Sequence, residues 1–289
     1  MSETSTQLRP LRWQGLRLDL PDRWDPVKLE GDADGGMILL ADLHRPRLGV
    51  RWKALKKKAD PAKSVDAAMR DEVGALAADE ATLTSPNGDW EFGQLYTEPE
   101  TPGRDVWIGV SRVTRRLVQV IYHAHHRDRM LADSVLPTLG DNAAGEWSIF
   151  DLSCRLPAGA KLIKHRLNVG DLTLEFEIDR KPLIVRQIAV ASVALTRQPI
   201  ERWLASQQLG KKKFYRPTEQ PQPVEIAGLK GIRRTMVRRR RHFLMRSLHK
   251  LVLGVALRDE SRDKLLILES PDLAVITDAV KTIGWATKS

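Results

Sequence analysis

The sequence predicts an α+β fold of two tandem repeats, each an antiparallel β-sheet packed with helices in an α/β sandwich. Three observations predict it. Trp13-Gln-Gly-Leu-Arg-Leu-Asp-Leu-Pro21 returns as Trp147-Ser-Ile-Phe-Asp-Leu-Ser-Cys-Arg-Leu-Pro157. Leu131-Ala-Asp-Ser-Val-Leu-Pro-Thr-Leu-Gly140 returns as Val275-Ile-Thr-Asp-Ala-Val-Lys-Thr-Ile-Gly284. Between these markers each half runs first through period-two alternation and then through helical spacing, so strands precede a helix in both copies.

Each copy opens on a strand with one face in a core and one in water. Leu16, Leu18 and Leu20 alternate with Arg17 and Asp19; Phe150, Leu152, Cys154 and Leu156 alternate with Asp151, Ser153 and Arg155. Cys154 holds an inward position, which suits a small buried apolar residue better than a reactive thiol. A second strand follows a Gly-containing bend, Asp34-Gly35-Gly36 or Val169-Gly170-Asp171. The third strand is Arg45–Arg51 in one copy and Arg180–Arg186 in the other. A helix comes next. Asp60 caps it and Pro61 takes the first helical position in the first copy, with Val65, Met69, Val73 and Leu76 as its stripe. In the second copy Thr196 is the expected cap and Ile200, Trp203 and Leu204 share a face. After an irregular stretch, a hairpin and a helix close each half, and Gly109-Val110 is matched to Gly254-Val255.

The expected domains are a flexible tail at 1–10, a first domain at 11–143 and a second at 144–289 that contains a basic segment, 211–250. Two domains of this size can each bury a core. The start of the chain has no apolar h-region, and the run Leu251–Leu257 is too short to span a bilayer, so a cytoplasmic protein without a membrane span is expected. A single cysteine excludes an internal disulfide framework. Charge is lopsided. Residues 1–144 carry 20 Lys and Arg against 22 Asp and Glu, whereas residues 145–289 carry 27 against 15.

The opening aromatic–apolar strand ending in Leu-Pro, the Gly-bent hairpin, the mid-domain helix and the terminal hairpin plus helix resemble the superfamily of DcrB-like and PsbP-like proteins. That superfamily also holds import factors that bind the GTPase Ran, and chaperones of the EagR type. The resemblance covers nearly the whole chain twice. It implies a binding or assembly role without catalysis, and it transfers no functional residue.

Between Lys211 and Lys250 stand thirteen Lys or Arg and two acids. They include Lys211, Lys212 and Lys213, then Arg233 and Arg234, then Arg238, Arg239, Arg240 and Arg241. Consecutive arginines on an extended segment point to both faces, so they cover an edge or a loop. Grouped guanidinium ions bind carboxylates and phosphates bidentately. Two readings are open, an anionic partner or an edge strand guarded by charge. Phe214, Tyr215 and Phe243 could stack on bases, but aromatics make up only 6% of the chain, sparse for a single-strand binder.

Weaker patterns are weighed the same way. Gly228-Leu-Lys-Gly231 fits the G-x-x-G loop of KH domains, but its flanks read as a strand turn. His123-Ala-His125-His126 with Asp128 has H-x-H spacing and no completing cluster, so no metal is expected. Trp24 and Trp52 belong to the first copy alone and mark a candidate groove. Catalytic templates and cofactor loops are absent, so neither an enzyme nor a cofactor is expected. The expected function is an adaptor or chaperone whose second domain docks an acidic protein surface. The alternative is a nucleic-acid-binding accessory protein that uses the same arginines on phosphates.

Overall fold

Alternation governs more of this chain than helical spacing does. A computed structural model describes residues 8–98, 104–123, 134–141, 144–168, 170–206, 215–239 and 250–285. Among these residues strands take 54% and helices 18%, with five short helices and three large sheets. The expected α+β class is therefore wrong; the protein is mostly antiparallel β-sheet. The reason is physical. The stretches expected to hold irregular strands are regular members of the sheets, and their bulges and half-buried charges blur the period-two signal. Among the described residues the longest helix has only 13 residues, too few to lay a helical layer over sheets of seven and eight strands.

The chain divides into two compact units, residues 1–153 with 285–289 and residues 154–284. The boundary thus falls at Ser153/Cys154, where the sequence places it at 143/144.

The first unit begins with β1 (Leu8–Trp13), which starts inside the expected tail, and β2 (Leu16–Pro21). Their two-residue turn, Gln14-Gly15, has φ of 52° and 84°, the left-handed pair that suits the twist of a tight hairpin. Then come β3 (Asp25–Gly31), β4 (Gly35–Ala41) and β5 (Pro46–Ala54), followed by α1 (Pro61–Val73) and α2 (Ala75–Asp79). The remaining strands are β6 (Thr82–Leu83), β7 (Trp90–Thr97), β8 (Arg104–Ser111), β9 (Arg116–His123) and β10 (Glu146–Ile149). The large sheet runs β3-β4-β5-β9-β8-β7-β6, and β10 pairs with β1. Asp60 caps α1 through Ala62 N (3.0 Å) and Lys63 N (3.3 Å). Val65 and Met69 of α1 pack on Val106, Ile108 and Val110 of β8. Full burial of such side chains is worth about 1.5–3 kcal/mol each. Gly74, with φ 87°, ends the helix and throws Leu76 out of its stripe to 88% exposure.

The chain crosses to the second unit within β11 (Leu152–Arg155). There follow β12 (Lys161–Asn168), β13 (Asp171–Ile178), β14 (Lys181–Ile188), α3 (Ala191–Ala194) and α4 (Ile200–Ser206). Next are β15 (Tyr215–Pro217), β16 (Gln222–Ile226), β17 (Leu229–Arg238), β18 (Leu251–Asp259), β19 (Lys264–Ser270) and α5 (Leu273–Thr282). The run β12-β13-β14-β19-β18-β17 repeats the order β3-β4-β5-β9-β8-β7. Trp203 and Leu204 of α4 pack with Ala191 on Ile232, Ala256, Leu265 and Ile267. Thr196 is not the cap of α4; its hydroxyl donates back to Ser192 O at 2.8 Å. The repeat also shifts in register. Counting back from Val110↔Leu117 and Arg258↔Leu265, the pair Gly254↔Glu269 stands where Val106↔Ile121 does. Gly109 and Gly254 are therefore not equivalent.

Candidate anion-binding face

The arginine-rich segment forms part of β17, and β17 is not an edge. It pairs with β18 on one side, and with β16 and β15 on the other. Ile226↔Leu229 close the β16–β17 hairpin over Ala227-Gly228, whose φ values of 51° and 78° make a tight turn. Gly231 meets a different need, since a Cβ there would lie 1.9 Å from Ala256 O. The G-x-x-G spacing is thus accounted for by a turn and a close strand approach.

Alternation along β17 separates the arginines. Ile232 and Met236 are buried at 4% exposure and share their face with Arg234 and Arg238, whereas Arg233 and Arg239 hold the opposite parity. Arg233 and Arg234 therefore do not form one patch. Arg233 Nη2 donates to Gln222 Oε1 at 2.7 Å, and Arg239 Nε to Tyr215 O at 3.2 Å. Arg240, Arg241, Lys211, Lys212, Lys213, Phe214 and Phe243 lie outside the described residues.

The face that carries Arg234 mixes charged groups with the buried Ile232 and Met236. Arg234, Gly254 and Glu269 are cross-strand neighbours in one row, and Glu269 is buried at 4% exposure. Tyr215 pairs with Arg238 in register. Burial raises the Tyr215 hydroxyl above its usual range, Arg238 lowers it and Glu269 raises it, so the three groups feel one another's charge. Arg234 Nε and Nη1 are buried without a hydrogen-bond partner among the described residues. A guanidinium donor left without an acceptor costs about 1–3 kcal/mol. Farther along the sheet Arg186 is already engaged, with Nε and Nη2 each 2.7 Å from an oxygen of Asp171.

The other sequence candidates resolve differently. Trp24 and Trp52 are buried, at 2% and 3% exposure, so they do not wall an open groove. Trp52 Nε1 donates to Asp32 O at 2.7 Å, and its ring fills the space where a Cβ on Gly36 would sit. His125, His126 and Asp128 lie outside the described residues, among which no group of three or more potential metal ligands occurs. His123 is held below its usual pKa by burial and by Arg104 and Arg51. Burial pushes the Cys154 thiol up to about 12, which suits a packing role.

Two features gave no sequence signal. Glu72 of α1 accepts from Arg104 Nη1 (3.0 Å) and Gln119 Nε2 (2.7 Å), and Arg51 Nη1 lies 3.5 Å away. These residues stand on four separate segments, so no local spacing reveals them. A depression of about 620 Å³ opens beside the bulge of β7, lined by Thr84, Asn87, Phe92, Gly93 and Arg112 among others. Its lining has one carboxylate, Glu91, and no histidine, so it offers no pair of groups matched for acid–base work.

No family model matches the chain, and no curated protein does. A solved structure from Bacteroides thetaiotaomicron VPI-5482 is similar over 51% of this chain and 52% of its own length, with 14% identity and a TM-score of 0.32. The chain spans about half the length of that protein. No helix among the described residues is long and apolar enough to cross a membrane.

Proposed function

We propose that the chain is a non-catalytic, cytoplasmic adaptor or chaperone-like protein whose second unit docks an acidic protein partner. The observation that carries this reading is Arg234, which holds two buried guanidinium nitrogens without an acceptor on the face it shares with Arg238. A partner's carboxylates would complete those donors by drawing the half-buried Arg234 side chain outward. The excess of 27 basic over 15 acidic residues in 145–289 would steer such a partner in and speed encounter. A holding role is also what the resemblance to DcrB-like and PsbP-like proteins implies.

The test is fluorescence anisotropy with labelled oligoglutamate, and with RNA and DNA of matched charge, at physiological salt. The acidic peptide is expected to bind. Arg234→Gln with Arg238→Gln is expected to weaken it at least about tenfold, since a charged hydrogen bond is worth about 1.5–3 kcal/mol. Tighter binding of RNA or DNA than of peptide would replace this reading with the nucleic-acid alternative. Absence of binding to all three would remove both.

A further inference from the structure

Among the described residues β12 is the end strand of its sheet and pairs with β13 on one side. None of its eight residues is buried. Its counterpart in the first unit, β3, sinks Pro26 and Leu29 into the core. From Lys164 to Asn168 the register against β13 is regular, and a bulge at Ile163 ends it. Lys161, Lys164 and Arg166 share a face with Glu177, Glu175 and Thr173, while His165 and Leu167 share the other with Leu174 and Leu172. Arg166 pairs with Asp171 at 3.3 Å; Lys161 and Lys164 make no ion pair with any described residue. Ile163 stands 63% exposed at the end of this stretch.

We infer that the open edge of β12, residues Lys164–Asn168, receives an extended acidic segment of a partner protein as an added strand. This rests on the reading that the second unit docks an acidic partner, and it adds a separate contact at the other end of the sheet from β17, five strands away from Arg234. An edge strand presents unpaired N–H and C=O groups, which give affinity to any extended chain; its side chains decide which chain. Here the added strand would alternate carboxylate and apolar residues. Its carboxylates would face Lys164 and Arg166, and its apolar side chains would continue the row of Leu167. Ile163 caps the site as an apolar stop, because the bulge breaks the ladder there.

Charge selects the occupant. A second copy offering its own β12 would set lysine and arginine against lysine and arginine, which is unfavourable for directly opposed positions. The matching edge of the first unit lacks this free charge. On β3, Lys28 is paired with Glu30 at 3.2 Å, and Asp25 is paired with Arg9. The site is therefore specific to the second unit.

The experiment is hydrogen–deuterium exchange on the full chain with a peptide of alternating glutamate and leucine, alongside anisotropy. Slowed exchange is expected at residues 164–168 and not on β3. A peptide N-methylated at alternate amides is expected to bind at least about tenfold more weakly, because it loses the ladder. Lys161→Glu with Lys164→Glu, checked for folding by circular dichroism, is expected to do the same, while Arg234→Gln keeps the protection at 164–168. Peptide binding without protection there, or indifference to N-methylation, would overturn the edge site and leave the docking proposal standing. Absence of acidic-peptide binding even at low salt would overturn both.

Discussion

Arg116 and Asp141 form an ion pair sealed from water, with side-chain exposures of 4% and 0%. Arg116 Nε donates to Asp141 Oδ2 at 3.1 Å, and Nη1 donates to Gln14 O at 2.7 Å and Ala33 O at 3.1 Å. Thr114 Oγ1 donates to the same carboxylate. One side chain thus ties the β1–β2 turn, the β3–β4 turn and the segment after Gly140. Burial lowers the guanidinium to about 10, so it stays charged at neutral pH. Removing one partner strands the other charge. Arg116→Met is expected to destabilise the first unit by about 3–5 kcal/mol in urea unfolding, and the double variant with Asp141→Leu by less than the sum of the two singles.

Trp107 packs over Gly109. A Cβ on Gly109 would lie 2.6 Å from both Cζ2 and Cη2 of the indole, whose Nε1 donates to Thr84 O at 2.9 Å. Trp90 meets the same indole edge-on at a centroid distance of 5.1 Å. The added methyl in Gly109→Ala must displace a held ring, so it is expected to cost about 1–3 kcal/mol and to change the near-UV circular dichroism. Gly88→Ala is the control, with open space around its Cβ and an expected effect within about 0.5 kcal/mol.

The β13–β14 hairpin closes Ile178↔Lys181 over Asp179-Arg180, with φ of 50° and 64°. Both residues are left-handed, a conformation that penalises a side chain such as arginine. Arg180→Gly is expected to stabilise the second unit by about 0.5–1 kcal/mol, net of the entropy glycine adds to the unfolded chain. A rise in the urea midpoint at constant m checks it.

His123 pairs with Arg104 in register, and Arg51 adds a second repelling charge. Its pKa in the folded chain lies below the ordinary 6.5, so the unfolded chain binds the proton more tightly. Stability from this group is intact above about pH 6.5 and is lost as pH falls below that value toward the folded pKa. His123→Gln is expected to flatten the decline in stability through this acidic range, measured as the midpoint of urea unfolding against pH.

Cys154 is expected to resist alkylation in the native state at neutral pH and to label fully in denaturant. The cause is a thiol that is both buried and held protonated.

How far the chain was legible follows from which signals are local. Leu16, Leu18 and Leu20 read as an inward face because alternation needs only neighbours, and all three are buried at 1% exposure. The Asp60 cap was legible for the same reason. The strands β7 and β17 were legible only as irregular strands. β7 carries a bulge between Glu91 and Gln94, and β17 carries arginines on its half-buried face, so neither shows clean alternation. The pairing of Arg234 with the row of Glu269 was also hidden, since strand register sets it and spacing along the chain does not. Alternation along β17, by contrast, is local, and it is what divides the expected arginine patch between two faces.

In each unit the strand beside the early meander comes late in the chain: β5 lies against β9, and β14 against β19. A ribosome making the first unit therefore releases Leu48 and Val50 long before Val120 and Tyr122 can cover them. Folding has to wait for that strand, and the waiting is slow because the contacts span a long loop. Until then the nascent chain exposes an apolar strand edge, which makes early synthesis the interval of greatest risk from premature association.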